Sequence, residues 1–138
     1  MKTAVDSSIL LDVLGADRVF GPASLRALRA AYDRGALLAC EVVWAEVSSA
    51  LGDVEAARAA LDQLGVRYDA MTAAAAEASG TLWRDRPRDR ASQRSRVIAD
   101  FLIGAHALDR ADALLTRDRG FFRQSFRSLR IIDPARPG

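Results

Sequence analysis

Cysteine, histidine and lysine occur once each in the 138 residues, as Cys40, His106 and Lys2. A single cysteine excludes an intrachain disulfide and a thiolate-based zinc site. No stretch reaches the ~18 apolar residues that a membrane-spanning helix needs, so no membrane partner is expected. The opening MKTAVDSSILLDVLG carries one Lys, and Asp6 and Asp12 interrupt its apolar run, which makes a poor signal peptide. A cytoplasmic location is therefore the expectation. No internal repeat is present. Half the residues are apolar and 28% are charged, an ordinary globular composition. A chain of this length buries one core, so residues 1–138 are expected to form a single domain.

The basic residues other than Lys2 are all arginine, and charge is unevenly spread. Residues 1–83 hold seven basic and eleven acidic side chains, whereas residues 84–138 hold thirteen Arg and seven Asp. An acidic half beside a basic half points to a polyanion partner, a protein partner, or both.

The pattern along the chain alternates strands with helices. Residues 3–5 are short and apolar and run into Asp-Ser-Ser, a strand followed by a helix N-terminus. Ile9, Leu10, Val13 and Leu14 then share one helical face. Gly21-Pro22 opens a second helix that closes at Gly35. A strand is predicted at 36–39, helices at 41–51 and 54–64, and a strand at 66–68. A long Ala-rich helix runs from Thr72 to about Arg86, where Pro87 intervenes. A helix at 97–110, a strand at 113–116, a short helix at 118–126 and a strand at 130–132 complete the chain. This order predicts an α/β protein, a three-layer α/β/α sandwich with a mainly parallel central sheet. Ligands of such sheets bind beyond the carboxyl ends of the strands, at the topological switch point. Leu25, Leu28, Val54 and Leu61 are more apolar residues than a small sheet needs on one face. They are expected to meet a partner helix or a second copy of the chain, giving a homodimer.

Four acids fall where that rule directs attention. Asp6 ends the first strand, and Asp118 lies two residues past the fourth. Each could instead serve as an N-cap. Asp100 sits within Val97-Ile98-Ala99-Asp100-Phe101-Leu102-Ile103, the most apolar stretch of the second half, where it is read as a mid-helix acid without a capping role. An ionised carboxylate there needs compensation. Glu46 lies between Trp44 and Val47 in a similar setting. Four carboxylates on one rim repel strongly unless a hard cation joins them, and oxygen-only ligation suits Mg²⁺ or Mn²⁺.

Four segments together resemble the PIN domain, and more narrowly the VapC-type toxins of bacterial toxin–antitoxin pairs. They are Val5-Asp6-Ser7-Ser8, Trp44-Ala45-Glu46-Val47, Ala99-Asp100-Phe101-Leu102-Ile103-Gly104-Ala105-His106-Ala107 and Leu115-Thr116-Arg117-Asp118-Arg119-Gly120-Phe121. The resemblance spans nearly the whole chain. It implies a metal-dependent endoribonuclease whose RNA substrate is cut by metal-activated water, and a cognate antitoxin covering the active site. By the resemblance, Asp6, Glu46, Asp100 and Asp118 are the catalytic and metal-holding acids. Thr116 matches a hydroxyl position near the metal, Ser7 the small polar residue after the first acid, and Gly104 and Ala105 the small residues of the helix bearing the third acid. The segment at 81–96, TLWRDRPRDRASQRSR, departs from the family by its arginine content.

Arg117, Arg119 and Arg123 flank Asp118 and are candidates for gripping an RNA backbone. Arg84, Arg86, Arg88, Arg90, Arg94 and Arg96 are read either as a solvated, ion-paired loop or as phosphate contacts. Trp83 could stack on an unpaired base, although an apolar Trp ending a helix is more often packed inside. Cys40 reads as a small buried apolar residue. His106 falls six residues after Asp100, a rotation of ~600° that takes it off the acid's face, and reads as structural. Two other functions compete. A haloacid-dehalogenase-type phosphatase also starts with Asp after a strand, but needs a second Asp where Ser8 stands. A non-catalytic RNA- or protein-binding module would have a broken acidic quartet, and all four acids are present.

Overall fold

The computed structural model describes residues 1–87 and 97–136. Five short strands form one parallel sheet: β1 (Lys2–Val5), β2 (Ala36–Ala39), β3 (Val66–Tyr68), β4 (Ala113–Leu115) and β5 (Ile131–Ile132), in the order β3-β2-β1-β4-β5. Seven helices accompany them among the described residues: α1 (Ser7–Leu14), α2 (Gly21–Arg34), α3 (Glu41–Leu51), α4 (Val54–Gln63), α5 (Ala73–Arg84), α6 (Ile98–Arg110) and α7 (Arg119–Ser125). None is long and apolar enough to cross a membrane.

The central strands β1, β2 and β4 are buried on both faces along most of their length, which is why they read as apolar runs rather than alternating ones, whereas the edge strand β3 exposes Arg67 and Tyr68. Leu37, Leu114, Leu115 and Val5 are all buried to within 1%. The chain steps from β1 to β2 to β3 in one direction, then returns past β1 to place β4 and β5 on its other side. Right-handed crossovers in opposite directions need helices on opposite faces. α1 to α4 pack on one another, and α5 packs on α6. The reversal makes β1 and β4 neighbours, and the crevice past their carboxyl ends is the switch point.

Local signals set the boundaries. Asp53 accepts from the amides of Glu55 and Ala56 and starts α4, and the Thr72 hydroxyl accepts from Ala75 N and starts α5. α3 ends at Gly52 in the left-handed conformation that glycine adopts without strain. Gly104 has a different reason: a Cβ there would collide with the ring of Phe126, just past α7, so α6 packs on that ring only without a side chain. Two expectations for a partner surface fail. Leu28 and Leu61 belong to the core, at 2% and 0% exposure, because α2 and α4 turn these residues onto the sheet side. Val54 is exposed and Leu25 partly so.

Candidate active site

Asp6 is the residue after β1, and its backbone N–H donates to Leu115 O at 3.0 Å, which locks it beside β4. Although it precedes α1, its side chain caps nothing. The carboxylate instead accepts at Oδ2 from the Thr116 hydroxyl at 2.7 Å and the Ser8 hydroxyl at 3.1 Å. Burial pushes the Asp6 carboxyl above the usual range, and the nearby charge of Asp100 adds to this, while the bonds from Thr116, Ser8 and Ser7 oppose it. The structure thus holds a carboxylate in an environment that resists its charge, flanked by a second acid.

Thr116, fully buried just past β4, is the hub of this corner. Its hydroxyl donates to Asp6 and accepts from the Asp118 backbone N–H at 2.9 Å. Asp118 precedes α7, and its side chain does not cap that helix either. The capping explanations for Asp6 and Asp118 therefore both lapse. On the opposite side, the Ser7 hydroxyl on α1 donates to Glu46 Oε1 on α3 at 2.8 Å and fixes the rotamer of that acid.

Asp100 requires a correction. α6 begins at Ile98, so Asp100 occupies its first turn rather than mid-helix, and its Oδ2 accepts from the Val97 backbone N–H at 3.3 Å. A carboxylate there closes an open amide and suits the positive end of the helix dipole. This local bond and the charge felt by Asp6 coexist, since one carboxylate has several acceptor positions. Among the described residues, no three His, Cys, Asp or Glu side chains gather into a closed metal-holding cluster. The donor set is nevertheless all-oxygen and acidic, and a cation beside Asp6 and Asp100 would relieve both burial and repulsion.

The arginines divide. Arg117 was expected at the RNA backbone, but its guanidinium turns away from the acids and forks onto Asp12, with Nε–Oδ2 at 2.6 Å and Nη2–Oδ1 at 3.1 Å. It also lies over the Phe20 ring, 4.0 Å from the centroid. Arg119 is half-buried and Arg123 exposed, four residues apart on one face of α7, and neither has an ion-pair partner among the described residues. Arg84 pairs with its neighbour Asp85 at the surface, and Arg86 stacks on Trp83 at 3.6 Å while bonding its carbonyl. Trp83 also meets the edge of Phe101, so its ring is packed rather than offered to a base. Arg88, Arg90, Arg94 and Arg96 lie outside the described residues.

His106 is buried and bonds Asp69 Oδ2 through Nε2 at 2.9 Å. Arg110 grips the same carboxylate with two bonds of 3.1 Å and, with His106, holds it below the usual range. This cluster ties the end of β3 to α6. Cys40 is buried and free. The sequence reading missed Asp12 and Asp69 as organising acids. A buried acid beside Ile9, Leu10 and Val13 needs a cation, and that signal was available for Asp12.

The profile of the PIN-domain family matches residues 3–127. No curated protein matches the chain. Among solved structures, VapBC-1 from nontypeable Haemophilus influenzae is similar with a TM-score of 0.70 at 18% identity, covering 99% of this chain and 100% of that one. VapBC2 from Rickettsia felis, solved on a fragment of its promoter DNA, gives 0.68 at 16% identity over 96% and 98%. The sarcin–ricin-loop-cleaving toxin VapC20 of Mycobacterium tuberculosis gives 0.59 at 19% identity over 93% and 98%. At these identities the likeness is one of fold. The family profile covers most of the chain, from β1 through α7, and the chain belongs to the PIN-domain family.

Proposed function

We propose that this protein is a Mg²⁺-dependent endoribonuclease, with Mn²⁺ as a substitute, and the toxin of a toxin–antitoxin pair. The observation that carries the reading is the hub at the switch point. The Thr116 hydroxyl joins the buried Asp6 carboxylate to the backbone of Asp118, with the charge of Asp100 close enough to raise Asp6. Family membership supports nuclease chemistry, and the similar solved structures include a toxin–antitoxin complex from Klebsiella pneumoniae and a sarcin–ricin-loop-cleaving toxin. An antitoxin partner and a homodimer are part of the proposal.

Asp6 and Asp100 would hold the ion, with Glu46 and Asp118 completing its acidic surroundings. A bound divalent ion there supplies a water of lowered pKa and neutralises phosphate charge. Thr116 and Ser8 keep the Asp6 carboxylate in one orientation, and Ser7 does the same for Glu46. Arg119 and Arg123 lie next along the chain and would bind the phosphates flanking the scissile bond. Direct attack of water on phosphorus leaves the RNA 2′-OH unused. Purified protein with single-stranded RNA should therefore give 5′-phosphate and 3′-OH ends with Mg²⁺, and no cleavage with EDTA. Products ending in 2′,3′-cyclic phosphate would refute the reading.

A further inference from the structure

We propose that Asp12 and Arg117 form a positioning strut that sets the geometry of the acidic site from behind. The inference rests on the reading above, in which Asp6, Thr116 and Asp118 serve the chemistry.

Arg117 stands between Thr116 and Asp118 in sequence, yet its side chain leaves the site. The guanidinium meets Asp12 as a two-bond fork, an arrangement with more directional specificity than a single charge contact. Asp12 is 5% exposed, and its Oδ2 also accepts from the fully buried Ser24 hydroxyl at 2.8 Å. One carboxylate thus gathers α1 through itself, α2 through Ser24 and the β4–α7 loop through Arg117. Phe20, just before α2, covers the guanidinium and limits its rotation.

The strut completes a brace. At one end of α1, Asp6 bonds Thr116. Six residues further along, or about 9 Å of helix, Asp12 bonds Arg117. The loop is therefore fixed to the Asp6–α1 segment at two separated points. Its upstream side is held in the sheet by the Thr116 N–H to Ile132 O bond at 3.0 Å. With both ends held, Thr116 has one place to offer its hydroxyl, and the Asp118 amide has one acceptor. Without the strut the loop would lose the second of these two attachments, and the Thr116–Asp118 turn would no longer be braced from behind. Lysine cannot replace the fork, because it presents a point charge on a flexible stem.

The test uses the full chain carrying Asp12→Asn, Arg117→Lys or both. Asp12→Asn is the variant that keeps the test valid if Arg117→Lys fails to fold, since it leaves no unpaired buried carboxylate. Two readouts are taken: hydrogen exchange of the Asp118 amide, and steady-state RNA cleavage at two salt concentrations. The strut predicts exchange at Asp118 faster by about tenfold or more in a protein that stays folded. It also predicts a kcat loss of roughly ten- to a hundredfold with KM and salt dependence unchanged. The double variant should lose no more than the worse single one. Unchanged exchange at Asp118 overturns the strut. So does a raised KM with a salt slope altered by about 0.7 and kcat intact, because that marks a phosphate contact. The exchange readout needs no RNA. If the wild-type protein cleaves no RNA, the functional reading fails while loss of Asp118 protection still supports the strut.

Discussion

Replacing Thr116 with Val tests the hub of the site with almost no change of shape. The side chain is fully buried, so the methyl takes the place of the hydroxyl without opening a cavity. Two bonds disappear: the 2.7 Å donation to Asp6 and the 2.9 Å acceptance from the Asp118 N–H. A hydrogen bond to a charged acceptor contributes ~1.5–3 kcal/mol and a neutral one ~1 kcal/mol, so a loss of about 2.5–4 kcal/mol is expected at neutral pH. A domain of this size has roughly 5–15 kcal/mol in hand, so the variant should still fold. The loss has a definite pH dependence. Burial raises the Asp6 carboxyl above its ordinary range, and the Thr116 hydroxyl opposes that rise by favouring the ionised form. A group raised in the folded state contributes stability that is complete below its unfolded pKa and lost as pH rises through the folded one. Removing Thr116 raises Asp6 further and enlarges that loss. The deficit against wild type should therefore be greatest near neutrality and shrink towards pH ~4, the ordinary aspartate range. Urea unfolding of both proteins at the two pH values, without metal, measures it. An equal deficit at both would refute the assignment of Thr116 to the Asp6 carboxylate.

Asp6→Asn should hold or raise stability in metal-free buffer, because burial and Asp100 both disfavour its ionised form. That gain should appear above the ordinary aspartate range and vanish on acidification, as thermal melts across pH would register. Arg119→Ala should raise the KM for RNA more than it lowers kcat and flatten the salt dependence of binding by a slope of roughly 0.7. His106→Ala should lower unfolding stability by about 3 kcal/mol through lost packing and the lost Asp69 bond, with cleavage per folded molecule unchanged.

Much of the fold was legible because its strands are short runs of apolar and strand-favouring residues between turn residues. Residues 36–39 follow Gly35, and residues 66–68 follow Gly65, and both strands form where the sequence placed them. The fourth strand ends at Leu115, one residue before the expected end, although the Thr116 backbone N–H still donates to Ile132 O. The start of α6 was less legible. Val97 carries no side-chain acceptor, so nothing in its chemistry marked an N-cap, and the capping bond comes from Asp100 instead. The positions of Asp6, Glu46 and Asp118 followed from strand ends and motif order. The destinations of Arg117 and His106 did not. Arg117 finds its carboxylate 105 residues away and His106 finds its own 37 residues away, and such pairings follow from topology rather than local pattern.

Single-turnover cleavage of a single-stranded RNA by wild type and by Asp6→Asn, each with saturating Mg²⁺, addresses the central claim most directly. The account predicts Mg²⁺-dependent cleavage by wild type and a rate at least about a hundredfold lower for Asp6→Asn, with the variant still folded. Cleavage by Asp6→Asn at the wild-type rate would contradict it.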